Sequence, residues 1–328
     1  MSHGNYRAHT NIALIKYWGK RNDQLFLPVT SSLSLTLDAF YTETLVMRDP
    51  DLDQDQIFIN DRLQSQAAKQ PIVRFIDRFR DLAGNREKVY IQSTNFVPTA
   101  AGLASSASAY AALACALNDA FDLKLDARAL SILARQGSGS ASRSLFGGFV
   151  EWHKGQGDDS DSSYAEQIDA GDWDIAMLVV VINDQAKAIS SRYGMAQTVK
   201  TSPFYALWPE EVAKDLAAIK TAIKARDFDT MGQVAEHNAM KMHATTIAAN
   251  PSFTYWSPES LVALQYIQKL RNEVGLSCYA TMDAGPNVKV LVPESQVDIL
   301  RKHMLSLFNP DQLIIARPGP APVKLPLD

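Results

Sequence analysis

The stretch Pro98-Thr-Ala-Ala-Gly-Leu-Ala-Ser-Ser-Ala-Ser108 decides how the rest of the sequence is interpreted. Its small side chains let backbone N–H groups approach an anion closely, and Ser105, Ser106 and Ser108 add hydroxyl donors. The Ala-rich segment from Ser105 to about residue 121 predicts a helix whose positive end faces whatever the loop holds. A phosphate-binding loop and a small-residue helix packed closely on a sheet explain this pattern equally well. The stretch is neither a Walker loop, since no Gly-Lys-Ser/Thr closes it, nor a G-x-G-x-x-G dinucleotide fingerprint.

The segments on either side of this loop mix strands and helices. Before it, Leu33–Leu37 alternates with period two, and an amphipathic helix follows, with Pro71 in its first turn and Gly84 at its C-cap. After it, the apolar and β-branched run Ile175–Ile182 indicates a buried strand, and further helices and strands continue to residue 317. This pattern predicts an α+β protein in two lobes.

The length of 328 residues is consistent with two domains. We expect an N-terminal lobe over residues 1–184, which carries the phosphate loop, and a C-terminal lobe over residues 185–317. The tail over residues 318–328 contains four prolines, so it cannot continue a helix or a central strand.

The composition argues against several classes of protein. With 32 basic and 36 acidic residues, the net charge of −4 is not that of a globally basic nucleic-acid binder. No apolar run approaches the ~18 residues of a membrane span, and the N-terminus lacks a signal-peptide pattern. Cys115 and Cys278 are too few for a disulfide framework or a thiolate metal site. We therefore expect a cytoplasmic protein that acts on small molecules and has neither a nucleic-acid nor a membrane partner.

The segment Gly137–Gly148 is rich in serine and contains an arginine but no acid. Arg143 offers a planar fork suited to a carboxylate or a phosphate, with Ser138 and Ser140 able to donate beside it. A flexible surface loop is the alternative, given four glycines. Phe146 in the segment favours burial instead, and we favour the functional interpretation.

Three further segments carry charged groups that are less decisive on their own. His9–Arg21 places two lysines on one extended face, a pattern also typical of a solvated basic strand end. Asp283 follows a predicted strand and enters a Gly-Pro turn, where a turn residue is the more common role and a general base is the alternative. Lys187–Met195 offers two cations and a serine pair without an acid, and a loop with a capped helix start explains it equally well. No H-E-x-x-H or G-x-S-x-G occurs, so neither a zinc protease nor a hydrolase elbow is supported.

Taken together, these segments resemble the GHMP kinase superfamily and, within it, the diphosphomevalonate decarboxylases. Gly102-Leu-Ala-Ser-Ser106 stands where the kinases usually carry Gly-Leu-Gly-Ser-Ser. Asn11–Lys20, Gly137–Gly148 and Met282–Asn287 are more specific to the decarboxylases and occur in the family's order, so the resemblance covers roughly residues 6–317. It implies a two-lobed GHMP-kinase-like fold with an N-terminal ribosomal-protein-S5-like lobe and a C-terminal ferredoxin-like α/β lobe.

The resemblance also implies an activity, the ATP-dependent decarboxylation of (R)-5-diphosphomevalonate to isopentenyl diphosphate with ADP, phosphate and CO2. ATP would be a co-substrate, Mg²⁺ would be carried chiefly by phosphate oxygens with no protein ligand assigned, and a homodimer would follow by analogy. A phosphomevalonate decarboxylase, a mevalonate 3-kinase, and a non-catalytic metabolite-binding regulator of the same fold remain as alternatives.

By the family's pattern, each candidate residue has an implied role. Asp283 would orient or deprotonate the 3-hydroxyl, Lys16 would stabilise the Asp283 anion, and Arg143 would hold the substrate carboxylate. Ser191 and Lys187 would lie near the transferred phosphoryl group. The implied substrate-binding residues are Tyr17, Lys20, Ser138, Gly139, Ser140, Arg143, Arg192 and Met195. The implied ATP-binding residues are Gly102, Leu103, Ala104, Ser105, Ser106, Ser108 and Lys187.

Overall fold

A computed structural model describes residues 2–96, 105–182 and 189–327 of the chain. The strands in these ranges are β1 (His3–Ile15), β2 (Lys20–Asn22), β3 (Leu27–Pro28), β4 (Ser32–Asp49), β5 (Gln56–Ile59), β6 (Arg62–Leu63), β7 (Lys88–Phe96), β8 (Phe149–Trp152), β9 (Ala165–Asp169), β10 (Ala176–Val180), β11 (Tyr279–Met282), β12 (Val288–Val292), β13 (Leu313–Ala316) and β14 (Val323–Lys324). The predicted ligands Gly102, Leu103, Ala104 and Lys187 lie outside the described residues.

The helices alternate with these strands. They are α1 (Gln66–Ala83), α2 (Ser105–Ala120), α3 (Ala127–Arg135), α4 (Ser191–Thr201), α5 (Trp208–Ala225), α6 (Phe228–Ile247), α7 (Pro258–Lys269) and α8 (Val297–Met304). Short 3₁₀ turns at Gly139–Leu145, Tyr205–Leu207, Glu294–Gln296 and Pro310–Gln312 and a π turn at Leu270–Val274 complete the set. None of the helices in the described ranges is long and apolar enough to cross a membrane.

The first sheet has the order β14-β1-β4-β7-β5-β6, and β8 and β9 extend it beside the first residues of β4. Helix α2 packs on this sheet through a face of buried alanines, and only a glycine at position 4 lets the strand come so close, since a Cβ there would overlap the Ala116 carbonyl. The small residues after position 105 therefore serve close helix–sheet packing. Register shifts in the β1–β4 pairing follow His9 and Ala13, and they bend the end of β1 that leads to Lys16.

The second sheet is antiparallel throughout, with the order β11-β12-β10-β13. Residues of α7 and α8 share one apolar cluster with this sheet, and residues of α5 and α6 share another with both the second sheet and β1 and β4. The main cluster of buried side chains therefore joins the two lobes. A two-lobed α+β architecture is what the sequence predicts.

The predicted boundary at residue 184 needs correction. β10 is fully buried and pairs with β12 and β13, so the chain enters the second sheet before Ala176 and not after it. A strand that is apolar on both faces shows that it is central, but its pattern does not show which sheet it joins. The tail is likewise part of the first sheet, because β14 pairs with Tyr6 and Arg7 at its edge, where proline is tolerated.

Candidate active site

The site forms where two strand ends from different lobes meet. Lys16 follows β1, Asp283 follows β11, and the Lys16 ammonium donates to Asp283 Oδ1 at 2.7 Å and to the Ala13 carbonyl at 2.6 Å. The Lys16 side chain is 2% exposed and that of Asp283 is 28% exposed. The carboxylate is thus the member of the pair that a ligand can reach, and the buried ammonium supports it from behind.

Lys289 supports the other oxygen of the same carboxylate. Its ammonium lies 3.4 Å from Asp283 Oδ2 and donates to the Asn287 carbonyl at 3.2 Å, and the side chain is fully buried. Two cations within 4 Å of one carboxylate favour its ionised form. The sequence interpretation missed Lys289, although a single charge inside the apolar strand Val288–Val292 is the signal that could have found it.

Burial acts against the charge on Lys16. The loss of solvation lowers the pKa of Lys16, the Asp283 charge opposes that shift, and the charges of Lys289 and Arg143 add to it. The ammonium therefore depends on Asp283 for its charge, and the two groups act as a unit.

Arg143 lies in the 3₁₀ turn Gly139–Leu145 and is 2% exposed. Its Nη1 donates to Ser32 Oγ at 2.6 Å and its Nε to Asn11 Oδ1 at 3.1 Å. Burial lowers the pKa of Arg143 to about 10, and the nearby Asp283 charge opposes the shift. Within the described residues these are the hydrogen bonds of the guanidinium, so Nη2 remains available to a carboxylate.

Asn11 fixes the orientation of this arginine. Its amide nitrogen donates to Ser144 Oγ at 2.8 Å and to the Ser140 carbonyl at 3.0 Å, which leaves its oxygen facing Arg143. The turn that carries Arg143 is therefore bound to β1, the strand that delivers Lys16. The resemblance includes Asn11 in its motif, but the pattern of letters gives it no role.

The predicted serines of the two Ser-rich segments lie together. Ser138 Oγ is 3.1 Å from Ser106 Oγ and 3.3 Å from Ser140 Oγ, which joins the start of α2 to the Arg143 turn. Ser105 and Ser106 are exposed at the N-terminus of α2, where backbone N–H groups favour an anion.

The prediction that Ser108 binds ATP needs correction. Ser108 is fully buried, and its hydroxyl donates to the Ser105 carbonyl at 3.2 Å. The same oxygen lies 3.2 Å from the Thr10 hydroxyl and 2.8 Å from the Thr42 hydroxyl. The hydroxyl is therefore enclosed by three protein partners and has no solvent-facing side from which a phosphate could reach it. Ser108 anchors α2 to the sheet.

Tyr17 and Gly139 lie against each other beside the Arg143 turn. A Cβ at position 139 would lie 2.9 Å from the Tyr17 ring and 3.0 Å from the Trp152 ring, so glycine is required there. The Tyr17 hydroxyl is buried without a hydrogen-bond partner among the described residues, which marks it as a group awaiting a ligand. Burial raises the pKa of Tyr17, while the charges of Arg143 and Arg192 oppose that shift, so the hydroxyl is a donor at neutral pH.

The predicted substrate ligands Lys20, Arg192 and Met195 and the predicted catalytic residue Ser191 make other contacts. Lys20 pairs with Asp23 at 3.1 Å and covers the Phe26 ring. Ser191, Arg192 and Met195 lie in the first turns of α4, which Ser190 caps by accepting the Tyr193 N–H at 3.2 Å. Among the described residues, neither Ser191 nor Met195 hydrogen-bonds to Lys16 or Asp283. The charge of Arg192 acts on Tyr17 and opposes the rise in its pKa.

His243 on α6 lies behind the Lys16–Asp283 pair and is fully buried. Burial lowers the pKa of His243 to about 3, with the charges of Lys16 and Lys289 adding to the shift and that of Asp283 opposing it. The imidazole is therefore neutral at physiological pH. In the described ranges no three His, Cys, Asp or Glu side chains are grouped so as to hold a metal ion.

Models of known families match both lobes. Residues 8–165 match the diphosphomevalonate decarboxylase-like N-terminal domain, and residues 177–318 match the mevalonate 5-diphosphate decarboxylase C-terminal domain. The chain belongs to the diphosphomevalonate decarboxylase family. The resemblance on which the sequence interpretation rests is thereby confirmed.

Individual members of the family agree over nearly the whole chain. The diphosphomevalonate decarboxylase of Ganoderma lucidum is 37% identical over 323 residues, covering 92% of this chain and 81% of that protein. A solved structure described as MDDEF in complex with MVAPP, AMPPCP and magnesium is 49% identical, with a TM-score of 0.93 and 99% of each chain covered. A structure of the Enterococcus faecalis mevalonate diphosphate decarboxylase, described by its mevalonate diphosphate-mediated ATP binding, is 48% identical, with the same TM-score and coverage. These neighbours confirm the two-lobed GHMP-kinase-like fold.

Proposed function

We propose that this protein catalyses the ATP-dependent decarboxylation of (R)-5-diphosphomevalonate to isopentenyl diphosphate, ADP, phosphate and CO2. The observation that carries the proposal is the Asp283 carboxylate held between the Lys16 and Lys289 ammonium groups beside a buried arginine. Membership of the family and the 49%-identical relative described with MVAPP, AMPPCP and magnesium support the same reaction.

The first step is phosphorylation of the tertiary 3-hydroxyl, which is otherwise a poor leaving group. Asp283 orients this hydroxyl and accepts its proton as the oxygen attacks the γ-phosphorus of ATP, and ADP leaves. Lys16 and Lys289 hold the carboxylate in place and in its ionised form. Because both amines are buried, they keep one geometry without reorganisation, which is what positioning and charge neutralisation require.

The second step breaks two bonds. The electron pair of the bond to the carboxylate forms the alkene, CO2 is released, and the 3-phosphate leaves with the electrons of its C–O bond. Arg143 Nη2 would hold the carboxylate through this step, and the hydrogen bonds to Ser32 and Asn11, which fix the guanidinium plane, support this role.

ATP would bind at the N-terminus of α2. The exposed Ser105 and Ser106 and the helix end suit phosphate oxygens, and the loop residues Gly102, Leu103 and Ala104 belong to the same proposed subsite. Mg²⁺ suits such a set of phosphates, and when bound with ATP it neutralises charge that develops on the transferred group. Lys187 and Ser191 are proposed to lie near that group.

The terminal diphosphate would be held by donors around the Arg143 turn. The Tyr17 ring packs on Gly139, which lies between Ser138 and Ser140 in the chain, and the Tyr17 hydroxyl has no partner among the described residues. We assign Tyr17, Lys20, Ser138, Gly139, Ser140, Arg192 and Met195 to this subsite. The outer cations are surplus for an uncharged terminus, so they favour a diphosphate over a bare hydroxyl.

The experiment that tests the proposal compares mevalonate carrying zero, one or two terminal phosphates. Each is incubated with the protein, ATP and Mg²⁺, and CO2, ADP and the organic product are measured, with omission of ATP as the control. CO2 release mainly from the diphosphate supports the proposal. CO2 mainly from the monophosphate would establish a phosphomevalonate decarboxylase, a phosphorylated product without CO2 a mevalonate 3-kinase, and binding without turnover a regulator.

We further propose a cytoplasmic homodimer. Cys115 and Cys278 are free, buried thiols, which suits a reducing compartment. The dimer rests on analogy with the family. Light scattering coupled to gel filtration measures the mass directly, and a mass of about 36 kDa, that of one chain, would contradict the dimer.

A further inference from the structure

A hydrogen-bond chain connects the backbone of Lys16 to side chains on helices α5 and α6. The backbone N–H of Lys16 donates to Asn238 Oδ1 at 2.8 Å, and Asn238 Nδ2 donates to Asp215 Oδ2 at 2.8 Å. Lys241 then donates to both oxygens of Asp215, at 2.9 and 3.1 Å, and to Glu211 at 2.8 Å. Asn238 is fully buried, and Asp215 is 8% exposed.

This chain permits only one orientation of the Asn238 amide. The Asp215 carboxylate is held by the Lys241 ammonium and can only accept, so the NH2 group of Asn238 must face it. The amide oxygen must then face the Lys16 N–H. The α5–α6 pair thereby fixes the residue that follows β1, at the point where that strand ends.

We propose that Asn238 is a positioning residue, which holds the backbone of Lys16 so that its ammonium meets Asp283. The inference rests on the role proposed for these two residues. A lysine side chain has four rotatable bonds, and here it reaches two acceptors at 2.6 and 2.7 Å, so its Cα must be placed accurately. Lys16 comes from one lobe and Asp283 from the other. The hydrogen bond from the Lys16 N–H to Asn238 on α6 holds the Lys16 backbone at a fixed position relative to the C-terminal lobe.

The structure supplies a matched control. Asn118 is also buried, and its side chain also bonds to backbone, accepting the Leu125 N–H at 2.9 Å and donating to the Leu125 carbonyl at 3.3 Å. It lies on α2, and among the described residues its side chain hydrogen-bonds to Leu125 and to none of the site residues. Asn118→Ala therefore removes a comparable pair of hydrogen bonds without reaching Lys16.

The structure also supplies an exchange variant. In N238D alone, two carboxylates would face each other where an amide and a carboxylate now lie 2.8 Å apart. In the double variant N238D/D215N, the carboxylate accepts the Lys16 N–H, the new amide nitrogen donates to that carboxylate, and the new amide oxygen accepts from Lys241. The contact to the Lys16 N–H is restored, the bond between positions 238 and 215 is restored with its direction reversed, and Lys241 keeps one of its two bonds to residue 215.

The test measures kcat and KM on the mevalonate form that the wild type accepts best. We expect Asn238→Ala to lower kcat about 10- to 100-fold, the effect of a displacement of about 1 Å, with KM changed less than about 3-fold. Asn118→Ala should lose comparable stability and keep its kcat. N238D should be impaired, and N238D/D215N should regain at least about 10-fold in kcat over it. A kcat of Asn238→Ala within about 2-fold of wild type, or no recovery in the double variant, would overturn the proposal.

Hydrogen exchange separates this inference from the proposed function. The Lys16 amide should be protected in the wild type and in N238D/D215N, and should exchange faster in Asn238→Ala while the Leu125 amide stays protected. If the wild type turns over no form of mevalonate, the proposed function is wrong. Faster exchange of the Lys16 amide in Asn238→Ala than in the wild type would still support the role of Asn238 in holding the Lys16 backbone. Equal protection of Lys16 in wild type and Asn238→Ala would sink the inference whatever the wild type catalyses.

Discussion

Replacing Arg143 by leucine should separate catalysis from stability. Arg143 is 2% exposed, its guanidinium makes hydrogen bonds to Ser32 and Asn11, and Nη2 has no hydrogen-bond partner among the described residues. Burial lowers the pKa of Arg143 from 12.5 to about 10, so the preference for the charged form is about 3 kcal/mol weaker than it is in water, although the group stays charged at neutral pH. The leucine variant no longer has this cost of burying a charge.

The lost hydrogen bonds of Arg143 lower the stability of the variant by a similar amount. One amide oxygen and one hydroxyl lose their partner, at about 1–3 kcal/mol each. The net change in the free energy of unfolding then lies between a gain of about 1 and a loss of about 3 kcal/mol. Removing one partner of a buried, hydrogen-bonded charge pair costs about 2–5 kcal/mol in the interaction with the substrate carboxylate, or about 30- to 5,000-fold in rate.

Arg135 provides the matched control. Burial lowers the pKa of Arg135 to about 10 as well. Its guanidinium donates to the Ser160 and Ser163 carbonyls and to Ser160 Oγ, so its hydrogen bonds hold the loop that contains these two serines. Arg135→Leu should therefore lose more stability than Arg143→Leu and little kcat. The assays are urea unfolding and CO2 release. An Arg143→Leu protein that melts early yet decarboxylates normally would show a structural arginine and refute the reasoning.

Three further predictions concern single groups. Asp283→Ala should lower turnover by about 10²- to 10⁴-fold while calorimetry still detects binding of ATP and substrate, and unchanged turnover would remove Asp283 as the base. Ser106→Ala should raise the KM for ATP without changing Tm, whereas Ser108→Ala should lower Tm and leave that KM unchanged; the reverse would contradict the burial argument. Because burial lowers the pKa of His243 from 6.5 to about 3, the unfolded chain binds the extra proton, so stability falls as pH drops below 6.5. Urea unfolding should show that His243→Phe removes a loss of about 2 kcal/mol between pH 7 and pH 5, and an unchanged pH slope would refute this assignment.

Much of the fold follows from local patterns. The helix predicted from Ser105 is α2, and Gly84 caps α1 with a left-handed φ of 60°. The sequence pattern predicts the start of α1 about one turn too late, because Ser65 caps a helix that begins at Gln66 and contains Pro71. The sequence pattern predicts β10 as part of the N-terminal lobe, whereas the strand pairs with β12 and β13, because the choice of partner strand depends on residues far away in the sequence.

The site was predictable only in part. Lys16, Asp283 and Arg143 occur in motifs, and the structure brings them together from three separate segments. Lys289 and Asn238 occur in no such motif, since their roles arise from contacts across the two lobes. For Ser108 the motif predicts too much, because this serine belongs to the phosphate-loop motif but its side chain is buried in the protein core.

The central claim is that the 3-hydroxyl is phosphorylated before CO2 leaves. Diphosphomevalonate carrying ¹⁸O in the 3-hydroxyl tests it directly, with the inorganic phosphate analysed by mass spectrometry after turnover with ATP and Mg²⁺. We expect one ¹⁸O atom in each phosphate released, in proportion to CO2, because the C–O bond breaks on the carbon side of a phosphate ester. Unlabelled phosphate, with the ¹⁸O recovered in water, would show that the hydroxyl leaves without phosphorylation and would contradict the account.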